Sequence, residues 1–260
     1  MNQQKVIQHI VSWLDDYVTK ANMNGFVVGV SGGIDSALTS TLCAMTGKSV
    51  VLLNMPIRQH AAQYERSVEH INWLKKKFEN VSSHTVELNG VLDAYESALP
   101  DDIQDFLTMA NTRSRMRMIT LYAFAGHHKL VVAGTGNKIE DFGVGFFTKY
   151  GDGGVDISPI ADLTKTEVYA LAKELGVAQS IQVAPPTDGL FGDDRSDEDQ
   201  IGASYPELEW AMDYLERNSK EAMTDRQKIV MEIYLQRNRA NKHKMIAIPV
   251  CTIPKELKEK

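Results

Sequence analysis

A chain of 260 residues, 43% hydrophobic and 24% charged, can bury one large core without disulfide staples, and its composition excludes a mainly disordered or collagen-like protein. A net charge of −6 disfavours nucleic acid and anionic membrane surfaces as partners. Two cysteines, Cys43 and Cys251, lie far apart without CxxC or Cys/His spacing, so a zinc site or thiol redox motif has no support and a reducing cytoplasm fits.

The N-terminal segment repeats Val6, Ile7, Ile10, Val11 and Leu14 at helical spacing, which predicts a packed helix rather than an export signal. No apolar run is long enough to cross a bilayer. Residues 25–30 (GFVVGV) read as a buried strand that stops at Ser31-Gly32-Gly33. The run IDSALTSTLCAMTG then predicts a helix with Gly47 near its C-terminal cap, and residues 50–53 a second strand. This βαβ unit continues as a helix over 61–78, a strand over 85–88, a helical stretch over 102–126 and an apolar strand over 129–133. The alternation predicts an α/β, doubly wound, mostly parallel sheet flanked by helices, with ligands at the carboxyl ends of the strands. The chemistry is therefore expected on the loops after Val30 and Ala133.

Beyond this, TKTEVYALAKELGV carries its own limits: a Thr164 cap, Glu167 three residues on, and Gly176 at the end. Residues 184–200 are rich in Pro, Gly, Asp and Ser, as in a functional lid or a linker. From Tyr205 the chain is mainly helical and charged, ending in the irregular IAIPVCTIP. No repeat or second domain boundary is visible, which predicts a single domain over 1–260 with a helical C-terminal segment.

The string VGVSGGIDSA places two glycines and two serines between a strand and a helix N-terminus. Unpaired backbone N–H groups, the positive end of the helix dipole and glycine's small size together make an anion cradle there. It is neither the Walker loop, whose lysine is missing, nor the dinucleotide GxGxxG. Asp35 would repel a phosphate by itself. A magnesium ion shared between carboxylate and triphosphate removes that conflict. The plain alternative is an ordinary turn in which Asp35 adds charge to the first helical turn.

SGGIDS resembles the pyrophosphatase loop shared by NAD synthetases, GMP synthetases, asparagine synthetases and tRNA-thiolating enzymes. The further segments NTRSRMRMITLY and AGTGNKIEDFGVGFFTKYGDGGVDISPI, with TDGLF, RSDED and NKHKM, are similar to the NAD synthetase family in its ammonia-dependent form. The resemblance implies an adenine nucleotide alpha hydrolase-like fold. ATP would be bound by Gly29, Ser31, Gly32, Gly33, Ile34, Asp35, Ser36, Arg58, Thr135, Lys165 and Thr187. Deamido-NAD would be bound by Arg115, Phe146, Lys149, Asp156, His243 and Lys244. Magnesium would be held by Asp35 and Glu140, with Asp152 and Lys165 catalytic.

Each assignment has an everyday rival. Arginines 113, 115 and 117 read equally as a solvated helical face, Glu140 as an exposed loop residue, Asp152 as part of an Asp-Gly turn, and His243 with Lys244 as a basic patch. Thr164 reads as a helix cap. Ser114 stands where the family usually has alanine. In the implied roles, Lys165 and Thr187 stabilise charge at phosphorus, Asp152 receives ammonium and takes its proton, and the 188–200 loop closes as a lid.

The implied reaction has two steps. The deamido-NAD carboxylate attacks the α-phosphorus of ATP, giving an NAD-adenylate and pyrophosphate, and ammonia then displaces AMP. No glutaminase domain is expected, so free ammonia is the expected nitrogen donor, with a separate glutaminase subunit as the alternative source. A homodimer with the dinucleotide near its interface is implied. The rival functions are another pyrophosphatase-loop subunit, such as that of a GMP synthetase, and a non-catalytic adenine-nucleotide sensor.

Overall fold

The computed structural model describes residues 1–187 and 196–258. Its centre is a wholly parallel sheet of β1 (Gly25–Gly29), β2 (Ser49–Asn54), β3 (Val81–Thr85) and β4 (Leu130–Val132), in the order β3-β2-β1-β4. Side chains alternate across a strand, and both faces are apolar here. Phe26, Val28, Val50, Leu52 and Val131 enter one core cluster, while Val27, Val51, Leu53, Leu130 and Val132 enter the other. A single parallel bridge, Ala133 to Ile157, extends the sheet beyond β4.

The first face is covered by α1 (Gln3–Lys20), α2 (Ile34–Met45), α3 (Ala61–Lys77) and α6 (Lys165–Glu174). The second is covered by α4 (Asn89–Ala98) and α5 (Phe106–His128). The chain runs outward from β1 through β2 to β3 on one side, then crosses to β4 on the other. That reversal opens a crevice between the carboxyl ends of β1 and β4.

Two boundaries differ from the sequence reading. The third strand is Val81–Thr85 rather than 85–88, because as an edge strand it buries only Val81 and carries Ser82, Ser83 and His84 on its open positions. Residues 86–88 instead leave the sheet, with the Val86 and Leu88 N–H groups donating to the Asn54 and Pro56 carbonyls. The long helix starts at Phe106, where Asp105 caps it by accepting from the Thr108 N–H, and residues 101–103 form a separate 3-10 turn. Helix α4 is additional; Leu92 is its one buried residue, so it lacks the apolar stripe that reveals a helix.

A third cluster joins the π-helical turn Ile139–Val144 to α8 (Asp197–Ile201), α9 (Tyr205–Glu216) and α10 (Asp225–Met245), with the short α7 (Gln179–Gln182) packed on the first face. Of the expected 188–200 lid, residues 188–195 lie outside the described residues. Residues 196–200 open α8 under a Ser196–Asp199 capping box. The Thr164–Glu167 box on α6 is present as expected.

Candidate active site

Gly29 to Ser36 line a cleft at the β1 carboxyl end. Gly32 has φ +85°, and a Cβ there would sit 2.4 Å from the Gln63 carbonyl oxygen, so the loop needs glycine at that position. Ser36 Oγ donates to the Gly33 carbonyl at 3.0 Å and accepts from the Ser31 N–H at 3.2 Å, while the Gly33 N–H donates to Ser31 Oγ at 3.2 Å. The two serines thus brace the turn from within. Helices α6, α8 and α10 begin with a Thr or Ser side-chain cap, but the N-cap of α2 is Gly33, which has no side chain to offer. The leading N–H groups of α2 are left for an anion.

Asp35, on the first turn of α2, points to a cation delivered from α6. Lys165 Nζ lies 2.6 Å from Asp35 Oδ2 and 3.0 Å from Glu140 Oε1, and its side chain is 4% exposed. Asn137, fully buried after β4, donates to Asp35 Oδ1 at 3.1 Å. Burial raises the Asp35 carboxyl, opposed by the Lys165 charge; burial also works against the Lys165 ammonium, but the Asp35 and Glu140 charges outweigh it and hold its pKa above the usual lysine range. Two carboxylates therefore converge on one cationic nitrogen.

Asp152 lies further along the same cleft, open to it but enclosed by protein elsewhere. Its Oδ1 accepts from Ser114 Oγ at 2.7 Å and from the Thr148 N–H at 3.0 Å. The enclosure raises its carboxyl above the ordinary range, against those two hydrogen bonds. Asp141, beside Glu140 on the π-helical turn, is pushed up to about 8 by burial first and then by the Glu140, Asp152 and Asp35 charges. A Cβ at Gly136 would fall 2.2 Å from Asp141 Oδ1, so that glycine gives the carboxyl its room. Thr135, Phe146 and Thr187 also line the cleft.

The remaining expected residues are elsewhere. Arg58 has φ +49° and is engaged by Glu96 and Asp93 of α4, each at 2.6 Å. Arg115 Nε donates to the Lys149 carbonyl at 3.3 Å, and Lys149 Nζ donates to the His243 carbonyl at 2.9 Å. Lys244 Nζ donates to the Gly145 and Phe147 carbonyls, and His243 Nδ1 lies 3.1 Å from the Ala240 carbonyl oxygen. Asp156 accepts from Tyr122 OH and from the Val132 N–H, both at 2.8 Å. Lys149, Asp152 and Asp156 are thus directed to three different sets of partners. None of Arg58, Arg115, Lys149, Asp156, His243 or Lys244 lines the cleft; His243, Lys244, Lys149 and Arg115 instead form a chain of contacts from α10 through the 145–149 loop to α5.

The family model described as NAD synthase matches residues 6–247. The chain belongs to that family. It is 35% identical to the NH(3)-dependent NAD(+) synthetase of Mycoplasma genitalium, over 89% of this chain and 90% of that one, and 35% identical to that of Methanosarcina mazei, over 96% and 98%. Among solved structures it is similar to the NMN synthetase from Francisella tularensis (TM-score 0.87, 28% identity, 97% of this chain and 100% of that one). It is also similar to the NH3-dependent NAD synthetase from Campylobacter jejuni (TM-score 0.80, 26% identity, 97% and 100%). Neither a GMP synthetase nor a nucleotide sensor is among these relatives.

In this member of the NAD synthase family several cleft residues escaped the sequence reading. Asp141 and Asp197 line the cleft and Asn137 and Tyr205 bond to its carboxylates; the first three fall inside segments already singled out without a role of their own, and Tyr205 opens a helix whose other buried residues are simple core. The signal available for Asp141 was its position beside Glu140. Arg117, weighed only as part of a cationic run, lines the cleft and donates to the Met55 carbonyl at 3.1 Å.

Proposed function

We propose that the cleft amidates the carboxylate of deamido-NAD with ammonia at the expense of ATP, through an NAD-adenylate, releasing AMP and pyrophosphate. One observation carries the reading: an uncapped helix N-terminus, a buried lysine bridging two carboxylates and the Asp152 carboxylate all face a single cleft. Carboxylate resists nucleophilic attack, and adenylylation gives it a good leaving group. The α2 N–H groups would hold phosphate oxygens, and the Lys165 ammonium would balance charge building at the α-phosphorus. Asp152 would draw ammonium into the cleft and take its proton, so that neutral ammonia attacks. No protein nucleophile is required.

Asp35 and Glu140 fit a magnesium ion, since two carboxylates converge beside the α2 N-terminus with only the single Lys165 charge between them. Bound there, Mg²⁺ would neutralise phosphate charge. Free ammonia as the donor is supported by coverage of 90% and 98% of two ammonia-dependent relatives. A single domain over 1–260 is supported by two core clusters on opposite faces of one sheet and a third built on the turn that follows β4. A homodimer through α5 is supported by the exposed Phe106, Leu107, Ile119 and Tyr122, and it would bring a second copy to Arg115. Among the described residues no helix is long and apolar enough to cross a membrane, and the free Cys43 and Cys251 suit a cytoplasmic setting.

Incubation with deamido-NAD, ATP, Mg²⁺ and ammonium should yield NAD, AMP and pyrophosphate in equal amounts. ADP and orthophosphate in their place would end the reading. The similarity to the Francisella tularensis NMN synthetase favours a second acceptor, the nicotinate mononucleotide. Comparing kcat/KM for the two acids decides between them.

A further inference from the structure

We infer that Tyr205 is a positioning residue of this cleft, fixing Glu140 through its hydroxyl and covering Lys165 with its ring. The inference rests on the roles proposed above for Glu140 and Lys165. Tyr205 is the first residue of α9 and is 2% exposed. Its hydroxyl lies 2.5 Å from Glu140 Oε1 and 3.3 Å from Asp197 Oδ2. A phenol has one proton to give, and the nearer carboxylate receives it. The Lys165 ammonium stands 4.6 Å from the ring centroid, within cation–π range.

The geometry at Glu140 gives these contacts their meaning. Lys165 Nζ and Tyr205 OH both donate to Oε1, and Oε2 makes no hydrogen bond among the described residues. The two donors lock the carboxylate's rotation and leave one oxygen for a ligand in the cleft. Glu140 itself stands on a π-helical turn, a wide and poorly self-restrained element, so an outside donor is what defines its direction. Tyr205 is held in turn: its N–H donates to Glu198 Oε1 at 2.8 Å, and Glu198 lies on α8. Tyr205 thereby ties α8 to the carboxylate. A tyrosine serving only to fill the third core cluster would need none of these polar contacts, and phenylalanine would replace it.

Tyr205→Phe keeps the ring over Lys165 and removes the donor. With deamido-NAD and ammonium saturating, the Mg²⁺ concentration for half-maximal AMP formation should rise about tenfold, the range for loss of a partner behind a metal-binding carboxylate. Mn²⁺ binding read by electron paramagnetic resonance in the presence of α,β-methylene-ATP should weaken by a similar factor, while the KM for deamido-NAD stays within about twofold. In a Glu140→Gln background, adding Tyr205→Phe should change neither quantity. Unaltered metal dependence in Tyr205→Phe, or an equal loss in both backgrounds, overturns the inference. Failure of the wild-type chain to form AMP would instead end the functional reading, and the Mn²⁺ measurement would still test Tyr205.

Discussion

Ser114 and Asp152 bond to each other twice: Ser114 Oγ donates to Asp152 Oδ1 at 2.7 Å and accepts from the Asp152 N–H at 2.9 Å. The serine thereby holds both the position and the charge of the cleft carboxylate, which its enclosure alone would leave further above the ordinary range. In Ser114→Ala the charge-lowering donor is gone, so the Asp152 pKa rises. The acid limb of the kcat/KM profile for ammonia should therefore move to higher pH, with the plateau reduced only a few-fold, roughly the cost of one charge-assisted hydrogen bond at most. A limb that stays in place, or moves down in pH, contradicts the pairing.

Asp152→Asn separates the two chemical steps. In the proposed function adenylylation would depend on Lys165 and the α2 loop, and proton removal from ammonium on Asp152. Exchange of labelled pyrophosphate into ATP should persist within about threefold, while NAD formation falls about 10²-fold or more. Equal losses in both assays would show that Asp152 serves the first step as well.

Lys165→Met leaves Asp35 and Glu140 facing one another with their shared cation removed. Breaking a buried ion pair from one side costs about 3 kcal/mol. A lower midpoint of urea unfolding is expected, together with a fall in AMP formation of about 10²-fold or more. Asp35→Asn in the same chain should return part of the lost stability by removing the repulsion. Additive losses in the double variant would refute that account.

Gly32→Ala tests the loop without touching a charged group. At φ +85° with a Cβ 2.4 Å from a backbone oxygen, alanine forces the turn open. ATP binding by calorimetry should fall at least tenfold, with a stability loss of about 1–3 kcal/mol. Retained affinity would mean that the loop does not hold the phosphates.

His70 gives the chain a dependence on acid. Ser40 Oγ donates to the Ser36 carbonyl at 2.7 Å, so His70 Nε2, 2.9 Å from Ser40 Oγ, carries the ring hydrogen, and Nδ1 is buried without a partner. Burial lowers the His70 pKa from 6.5 to about 4. Between these values the unfolded chain binds the proton and the native chain does not. Stability from this group is therefore full above pH 6.5 and declines as the pH falls towards 4. The loss at pH 5.5 is about 1 kcal/mol relative to neutral pH. Urea unfolding at pH 7.5 and 5.5 should show it, and His70→Gln should flatten the difference.

The local parts of this architecture could be read from residues close in sequence. Residues 25–36 announce a strand, a glycine turn and a helix start, and Thr164 with Glu167 announces α6, because each signal fits within one turn. The site was legible to the same degree, in its loop and its chemistry. Pairings were not: Lys165 meets Asp35 across 130 residues and Tyr205 meets Glu140 across 65, distances over which no periodicity operates. The bounds of the edge strand β3 were misplaced and the surface helix α4 escaped because each buries a single residue. Arg58, although close in sequence to the loop, was drawn to the carboxylates of α4, an element that the pattern did not reveal.

The π-helical turn at Ile139–Val144 follows β4 yet packs its apolar side against α9 and α10. Its Glu140 consequently answers to two masters: the sheet, which brings the turn to the crevice, and the C-terminal helices, which keep it seated. With the roles proposed above, loosening those helices alone should leave a protein that still cradles phosphate but has lost the seat of Glu140, so that nucleotide would bind without being consumed.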